Sequence, residues 1–465
     1  MIEEKFIFSS EAKTRIFTFL GIGIVLLALG IFVITRDGFG KHESHESTKV
    51  ESVKKEGDKV VNNENNPSKE EATPSAKEGD EGGHGEAHGY PWALRLKKDL
   101  WQNNVFFSGI ALIGIFFVAF NYVAQAGWSA AIKRIPESFG NYLLVGFPLA
   151  IILFAAFGHD LFHWTHHHLY EEYLSDGKTA NPHYDEVLAG KSGYLNQPFY
   201  WIRLILYYSL WIGTWWMLRG YSKKEDLEGG LVYHDKSVVL SAGFLVIFGI
   251  TSSTSAWDWV MSIDPHFFST MFGWYVFASW FVTGLSVITL IAIMLRERGY
   301  LQIINESHIH DLGKFVFAFS IFWTYIWFAQ FLLIYYANIP EESVYFVERL
   351  QNDVYTPVFF MNLIINFFFP FLLLMTRNAK RQTIILKIVC IAIIFGHWMD
   401  FYIMMTPPLL KDNGGLDLTF LLVEVGMTMI FGSIFAFLTL TGLSKVSLVA
   451  KNHPMMEESV HHHIY

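Results

Sequence analysis

Thr251–Tyr275, TSSTSAWDWVMSIDPHFFSTMFGWY, is the stretch on which the reading of the fold turns. An apolar run that begins near Val238 ends here in five consecutive small hydroxyl residues, Thr251 to Ser255. Two acids follow, Asp258 and Asp264, then Pro265 and His266, and a second apolar run starts at Thr270. Each flanking run has about 20 residues, enough to cross a bilayer. The joint holds no Lys or Arg, and Trp257, Trp259, Phe267, Phe268, Trp274 and Tyr275 crowd it. Ionisable groups beside hydrocarbon are costly and need a partner or a job, so the joint reads as polar machinery held at one membrane face. A plainer reading is an anchored helical hairpin, with the aromatics as an interfacial belt, Pro265 as a turn former and Asp264 as a helix cap.

The rest of the chain repeats this pattern. Of 465 residues, 52% are hydrophobic and 43 are Phe, more than a soluble domain of this size needs. The expected fold class is therefore an all-α, polytopic membrane protein. Ten apolar runs are expected to span: 16–35, 105–127, 141–160, 199–219, 238–257, 270–295, 313–336, 357–376, 384–405 and 419–443. The first is too long for the core of a cleaved signal peptide and ends in Arg36-Asp37, so it reads as a retained helix. The chain divides into an N-terminal segment with span one (1–37), a linker (38–89), spans two to ten (90–445) and a tail (446–465). The linker is rich in Lys, Glu, Asn, Ser and Gly, cannot bury enough apolar surface to fold alone, and is expected to be disordered.

The formal charge of −9 comes mostly from loops, and nucleic acid is not expected among the partners. The single cysteine, Cys390, lies inside an apolar run. That excludes on this chain a disulfide framework, a thiolate-bound iron–sulfur cluster and a covalently attached c-type haem. Any such redox centre must belong to a partner.

Orientation follows from Lys and Arg in the short loops. With the N-terminus cytoplasmic, eighteen of these residues, from Lys5 to Lys451, fall on the cytoplasmic side. The opposite loops after span three hold four: Lys178, Lys191, Arg349 and Lys411. Both termini are thus expected in the cytoplasm and the linker in the periplasm. On this topology the ionisable clusters all fall in the outer half of the membrane. Span three ends in GHDLFHWTHHH, with His159, Asp160, His163 and the run His166–His168. Arg203 opens span four, and Asp258, Asp264 and His266 close span five. His397 and Asp400 lie three apart near the end of span nine, and Asp417 and Glu424 lie at the start of span ten.

Such residues at one depth suit proton movement, or a polar headgroup that exchanges protons, because His and a buried carboxylate can both be tuned toward neutral pH. They can also simply pair and fix helix packing. The groups from spans three, five and nine are expected to approach one another between the bundles' outer ends. A b-type haem would need histidines on facing helices, usually as two stacked pairs, whereas these lie at one level. His159–His163 and His163–His167 match two histidine boxes of membrane di-iron desaturases and hydroxylases. The boxes share His163, lack further boxes elsewhere, and fall on the wrong face. An ion or solute transporter is a further alternative, but it would place its site near the midplane on broken helices, and here Pro370 is the visible break.

SAWDWVMSIDPHFFST, GHDLFHW and GHWMDFY together resemble a known family, the F-type integral membrane subunits (quinone-binding subunit 2) of bacterial alternative complex III. That assembly is a respiratory quinol:cytochrome c oxidoreductase, and its membrane subunits are similar to the polysulfide-reductase membrane anchors. The resemblance covers Tyr90 to about Leu443. It implies two four-helix bundles, spans two to five and six to nine, flanked by spans one and ten. It implies a place in the bacterial inner membrane and in electron transport, with haem c and iron–sulfur clusters on partner subunits and none on this chain. The implied partners are a sister membrane subunit, an iron–sulfur subunit, c-type cytochrome subunits, membrane lipid and, further out, a terminal oxidase. It leaves open whether quinol binds this chain or only the sister, so the chain is expected to supply scaffold, a periplasmic proton pathway and a candidate quinone site.

Overall fold

The computed structural model of the chain describes residues 4–57, 91–173 and 178–463. Most of the expected linker, 58–89, lies outside the described residues. Ten long helices organise the rest: α1 Ser10–Gly57, α2 Pro91–Val123, α3 Leu143–Leu161, α4 Gln197–Glu228, α5 Val232–Trp259, α6 Met271–Glu297, α7 Glu306–Ala337, α8 Thr356–Leu374, α9 Thr383–Leu410 and α10 Leu418–Ser444. Among the described residues, β-structure is limited to the isolated bridges Lys5–Ser447 and Tyr173–Ala180. The fold is all-α, as expected.

Nine of these helices are long and apolar enough to cross a membrane, and the chain is a multi-pass membrane protein on that ground. The expected count was ten. The helix that falls short of that apolarity is α4, which is 32 residues long but carries Arg203, Arg219 and many Tyr and Trp side chains.

α2 packs against α3, α4 and α5 in one group, and α6 against α7 and α9 in the other. α2 also touches α6, α9 and α10, so it forms the axis of the molecule, with 89% of its apolar window buried against 11% for α1. Aromatic rings fill the seam: Phe116 stacks on Phe248 at 4.5 Å and meets Phe281 edge-on at 5.3 Å, and Trp280 stacks on Phe401 at 5.9 Å. α1 lies along α10, which small residues permit: a Cβ on Gly23 would stand 2.8 Å from the Gly426 carbonyl. Close approach through small residues is the usual way helices pair in lipid, where no hydrophobic force favours contact.

Two departures from the expected spans matter for the site. α2 begins at Pro91, well before the expected 105, because its charged first turns are buried against other helices rather than solvated. α8 contains a π-helical turn, Ile364–Phe368, just before Pro370, and such turns often occur at functional sites. Shorter helices, Arg134–Phe139, Glu186–Lys191 and Pro340–Leu350, lie in the connections. The tail is folded back on the bundle: Ser459 Oγ donates to the Trp128 carbonyl at 2.9 Å, and His462 Nε2 lies 2.6 Å from Asp311 Oδ2.

Candidate functional site

Asp258 sits in the last turn of α5, fully buried, and α4 brings Arg203 to it. Arg203 Nε donates to Oδ2 at 2.7 Å and Nη2 to Oδ1 at 2.9 Å, a two-point pairing that Tyr207 Oη supplements at 3.1 Å. The guanidinium also stacks on Tyr194 and Phe199, with centroids at 3.9 and 4.2 Å. Flat, delocalised and easier to desolvate than an ammonium, arginine suits this place. The outcome is a closed ion pair with its hydrogen-bonding capacity largely used.

Asp400, on α9, is equally buried and differently served. Asn362 Nδ2 donates to Oδ1 at 2.8 Å, Trp323 Nε1 donates to Oδ2 at 2.9 Å, and Tyr275 Oη donates to Oδ1 as well. His397 Nδ1 lies 3.7 Å from Oδ2 and 3.1 Å from Ser279 Oγ, while its Nε2 is buried without a hydrogen-bond partner. Among the described residues, no Lys or Arg comes within ion-pair distance of Asp400. The π turn of α8 helps build this place. Asn366 reaches back to Asn362 at 2.5 Å, and a Cβ on Gly396 would lie only 2.2 Å from Asn366 Oδ1, so only glycine lets α9 come this close.

A narrow cleft of about 10 Å³, room for about one water, adjoins Asp400 through Tyr275. Tyr345, Phe346 and Arg349 of the short helix Pro340–Leu350 line it, with Trp327, Gln330 and Phe359. Arg349 is buried and donates to three backbone carbonyls, those of Ile403, Tyr345 and Met404, and its nearest carboxylate is that of half-exposed Glu348, at 3.9 Å. Gln330 Oε1 is buried without a partner. Burial, tempered by Arg349, pushes the Tyr345 hydroxyl up to about 12, so it stays a proton donor at neutral pH. Burial also raises the carboxyl of neighbouring Glu348.

A third network joins the first turns of α2 to α10. Arg95 Nε donates to Glu424 Oε1 at 2.6 Å, Lys98 Nζ lies 2.5 Å from Asp99 Oδ1, and Lys98 also sits over the Tyr402 ring at 4.4 Å. Arg95 also reaches the half-exposed Asp417 at 3.4 Å, so two cations serve the buried pair Asp99 and Glu424 and a third acid at the surface, and pairing of this kind is how charges survive out of water.

The remaining candidates lie at the same end, His159 and Asp160 in the last turn of α3 and the others in the connections. Asp160 pairs with Lys97 at 2.8 Å. His159 and His166 have ring centroids 3.8 Å apart, and His163 and His166 5.6 Å. Burial and the neighbouring His159 lower the proton affinity of His166. His266 Nε2 lies 2.6 Å from Asp185 Oδ2. Asp264 acts on Lys191, whose Nζ donates to the Pro265 carbonyl at 2.5 Å and whose proton affinity burial lowers despite that acid.

Asp264 and Asp400 both lie near enough to act on Tyr345, on which Phe267 of the joint stacks at 4.0 Å, but among the described residues the groups expected to converge from spans three, five and nine are not joined by direct bonds. Asp258, Asp400, Glu424 and the His159–Asp160 group each bond within their own neighbourhood, because each acid finds donors on an adjacent helix before it reaches another acid. Sequence reasoning missed Arg95, Lys98 and Asp99, and it missed Tyr275, Trp323 and Asn362 as partners of Asp400. The signal for the first set was the dense run RLKKDLWQNN before span two, too charged for a span and too aromatic for a linker. For the second set no local signal exists. No protein-family model matches the chain, and no curated protein matches it in sequence.

Proposed function

We propose that the chain is an integral subunit of a respiratory quinol-oxidising complex of the alternative complex III type, carrying no redox centre of its own. It serves as scaffold and as a proton path on the periplasmic side. The observation that carries this reading is Asp400: fully buried, bonded by neutral donors, beside His397, and linked through Tyr275 to a cleft. A carboxylate that an arginine holds is fixed in its charge. One bonded only by Tyr, Trp and Asn can take up or release a proton with those bonds rearranging around it. Quinol oxidation must release protons, and a group of this kind at the outer face suits that task.

In this reading both termini are cytoplasmic and the membrane is the bacterial inner membrane. The cleft beside Arg349 and Gln330, with room for about one water as it stands, is the candidate place for a quinone headgroup on this chain only if its walls part to admit the ring. The partners are a sister membrane subunit, an iron–sulfur subunit and c-type cytochromes, which supply all redox centres. Purification in mild detergent tests this directly. Co-elution with a haem-c protein and an iron–sulfur protein, with quinol-dependent cytochrome reduction, is the expected result. A chain that purifies alone, or with stoichiometric iron on itself, overturns it.

A further inference from the structure

At the opposite end of the helices three segments meet in a second buried polar centre. The Gly229-Gly230 turn, with φ of +69° and +76°, folds α5 back along α4 and sets His234 of α5 against Glu225 of α4. The tail then crosses over: Asn452 Nδ2 donates to the Asp226 carbonyl at 2.9 Å and places His453 beside them. All three side chains are buried, and their candidate ligand atoms lie within 4.8 Å of one another. Among the described residues this is the trio of His, Cys or acid that comes so close, and the His159–His168 run does not supply one.

The trio is not used up by bonds within the protein. Glu225 Oε1 and His234 Nδ1 are 3.7 Å apart, and both are buried without a hydrogen-bond partner. Glu225 is 1% exposed and His234 5%. A buried acceptor without a donor is costly, and two of them aimed at one point ask for a cation between them. The other oxygen, Glu225 Oε2, accepts from Lys133 Nζ at 3.0 Å, which fixes the carboxylate's direction. Lys133 in turn donates to Tyr122 Oη at 2.5 Å. A small cavity of about 20 Å³, room for a water or an ion, opens on the same point, lined by Asn121, Tyr122, Ser129, Lys133, His234 and His453. Lys133 and Arg134 face Glu137, Glu225 and Asp226 there, so the neighbourhood has room for a further positive charge when both imidazoles are neutral.

We infer that Glu225, His234 and His453 form a binding site for a divalent transition-metal ion of the zinc class, with a fourth position open to the cavity. Two imidazoles and one carboxylate suit such an ion, at bond lengths of about 2.0–2.2 Å. From the present separation, side-chain movements of less than ~1 Å bring the three ligand atoms to those lengths. His453 Nδ1 accepts weakly from the Met455 amide at 3.3 Å. Ligation through Nε2 moves the ring proton to Nδ1 and gives up that contact. The ion ties the tail to the ends of α4 and α5, a cross-link between segments far apart in the sequence.

The test is zinc counting and zinc-edge X-ray absorption on the full chain, purified in mild detergent with whatever partners accompany it. The chain has 19 histidines, so weak sites are to be expected, and the comparison must be between variants. After chelation and titration with Zn2+ alone, the wild type is expected to hold one tight equivalent with imidazole scattering. His234→Ala and His453→Ala are each expected to lose that equivalent, or to weaken it by at least the ~100-fold that loss of an outer-shell partner can reach. Glu225→Gln, which keeps an acceptor for Lys133, is expected to weaken it as well. A variant lacking the exposed tail histidines His461 and His463 should keep it. A wild type with no tight equivalent overturns the site without recourse to any variant. So does an equivalent that survives both His234→Ala and His453→Ala, which would make the pair a simple Glu225–His234 ion contact.

Discussion

Asp258 and Asp400 are the same side chain, equally buried, each on a long helix of its own bundle, and they are treated oppositely. Arg203 grips Asp258 at two points, and aromatic rings hold Arg203 in turn. Asp400 receives Tyr275, Trp323 and Asn362, all neutral, while the nearest arginine of its bundle spends its donors on backbone carbonyls. An ion pair in low dielectric is locked, since removing either charge strands the other. A carboxylate among neutral donors is not locked. The first bundle therefore uses its acid to hold two helices together, and in the proposed function the second uses its acid to exchange a proton.

The largest effect expected from breaking this contrast is on the locked side. Arg203→Ala leaves Asp258 buried and uncompensated, a loss of roughly 3–5 kcal/mol. It should appear as low yield of folded protein and a depressed unfolding temperature in detergent. The double variant Arg203→Met with Asp258→Leu should recover most of that loss, since an apolar pair of similar volume is often neutral. No recovery would mean that the pair does more than hold helices.

A smaller effect is expected from Gly396→Ala. Its Cβ would press on Asn366 Oδ1, and forcing a methyl into a packed core costs about 1–3 kcal/mol. Asn366 supports Asn362, and Asn362 donates to Asp400, so quinol-linked turnover should fall together with thermal stability. Lost stability with unchanged turnover per folded complex would separate α8 from the proton path.

The smallest effect concerns Asp417, the N-cap of α10. Burial alone would raise its proton affinity, but the Thr419 hydroxyl, the Phe420 amide and Arg95 outweigh that and hold it below the ordinary 3.8. A carboxyl lowered on folding adds stability that is present above its unfolded value and is lost as pH falls through its folded value. Acid unfolding should therefore have a component below about pH 4 that Asp417→Asn removes. The side chain is 55% exposed, so the effect is small. Thermal melts of the two proteins at a series of acid pH values give the comparison.

How much of this could be read from the sequence depended on where the compensating groups lay. Uniform apolar runs such as 238–257 and 270–295 became α5 and α6 because hydropathy is a local property. The first turns of α2 were left ahead of span two because Arg95 and Lys98 find Glu424 on α10, at the far end of the chain. Asp258 was legible as a buried acid in an aromatic joint, and Arg203 was visible as a charge opening its span. The surroundings of Asp400 were not legible, since Trp323 and Asn362 have no local mark that separates them from ordinary helix residues. For the same reason the meeting of Glu225, His234 and His453 could not be read: the tail histidine lies in a loop with no ligand spacing to either partner.

The most direct measurement is the pH–rate profile of quinol-linked electron transfer by the purified complex carrying Asp400→Asn. An asparagine fills the same space, and its one oxygen still accepts from Tyr275 and Asn362 while the Trp323 bond is given up, so folded complex should still assemble at a modestly lower yield. It cannot take up or release a proton, so turnover should fall by about 10²-fold, in line with the usual contribution of a general acid–base group, and the profile should change shape. Normal assembly with wild-type turnover at every pH would contradict the proton path and leave this chain as scaffold, with the chemistry on its partners.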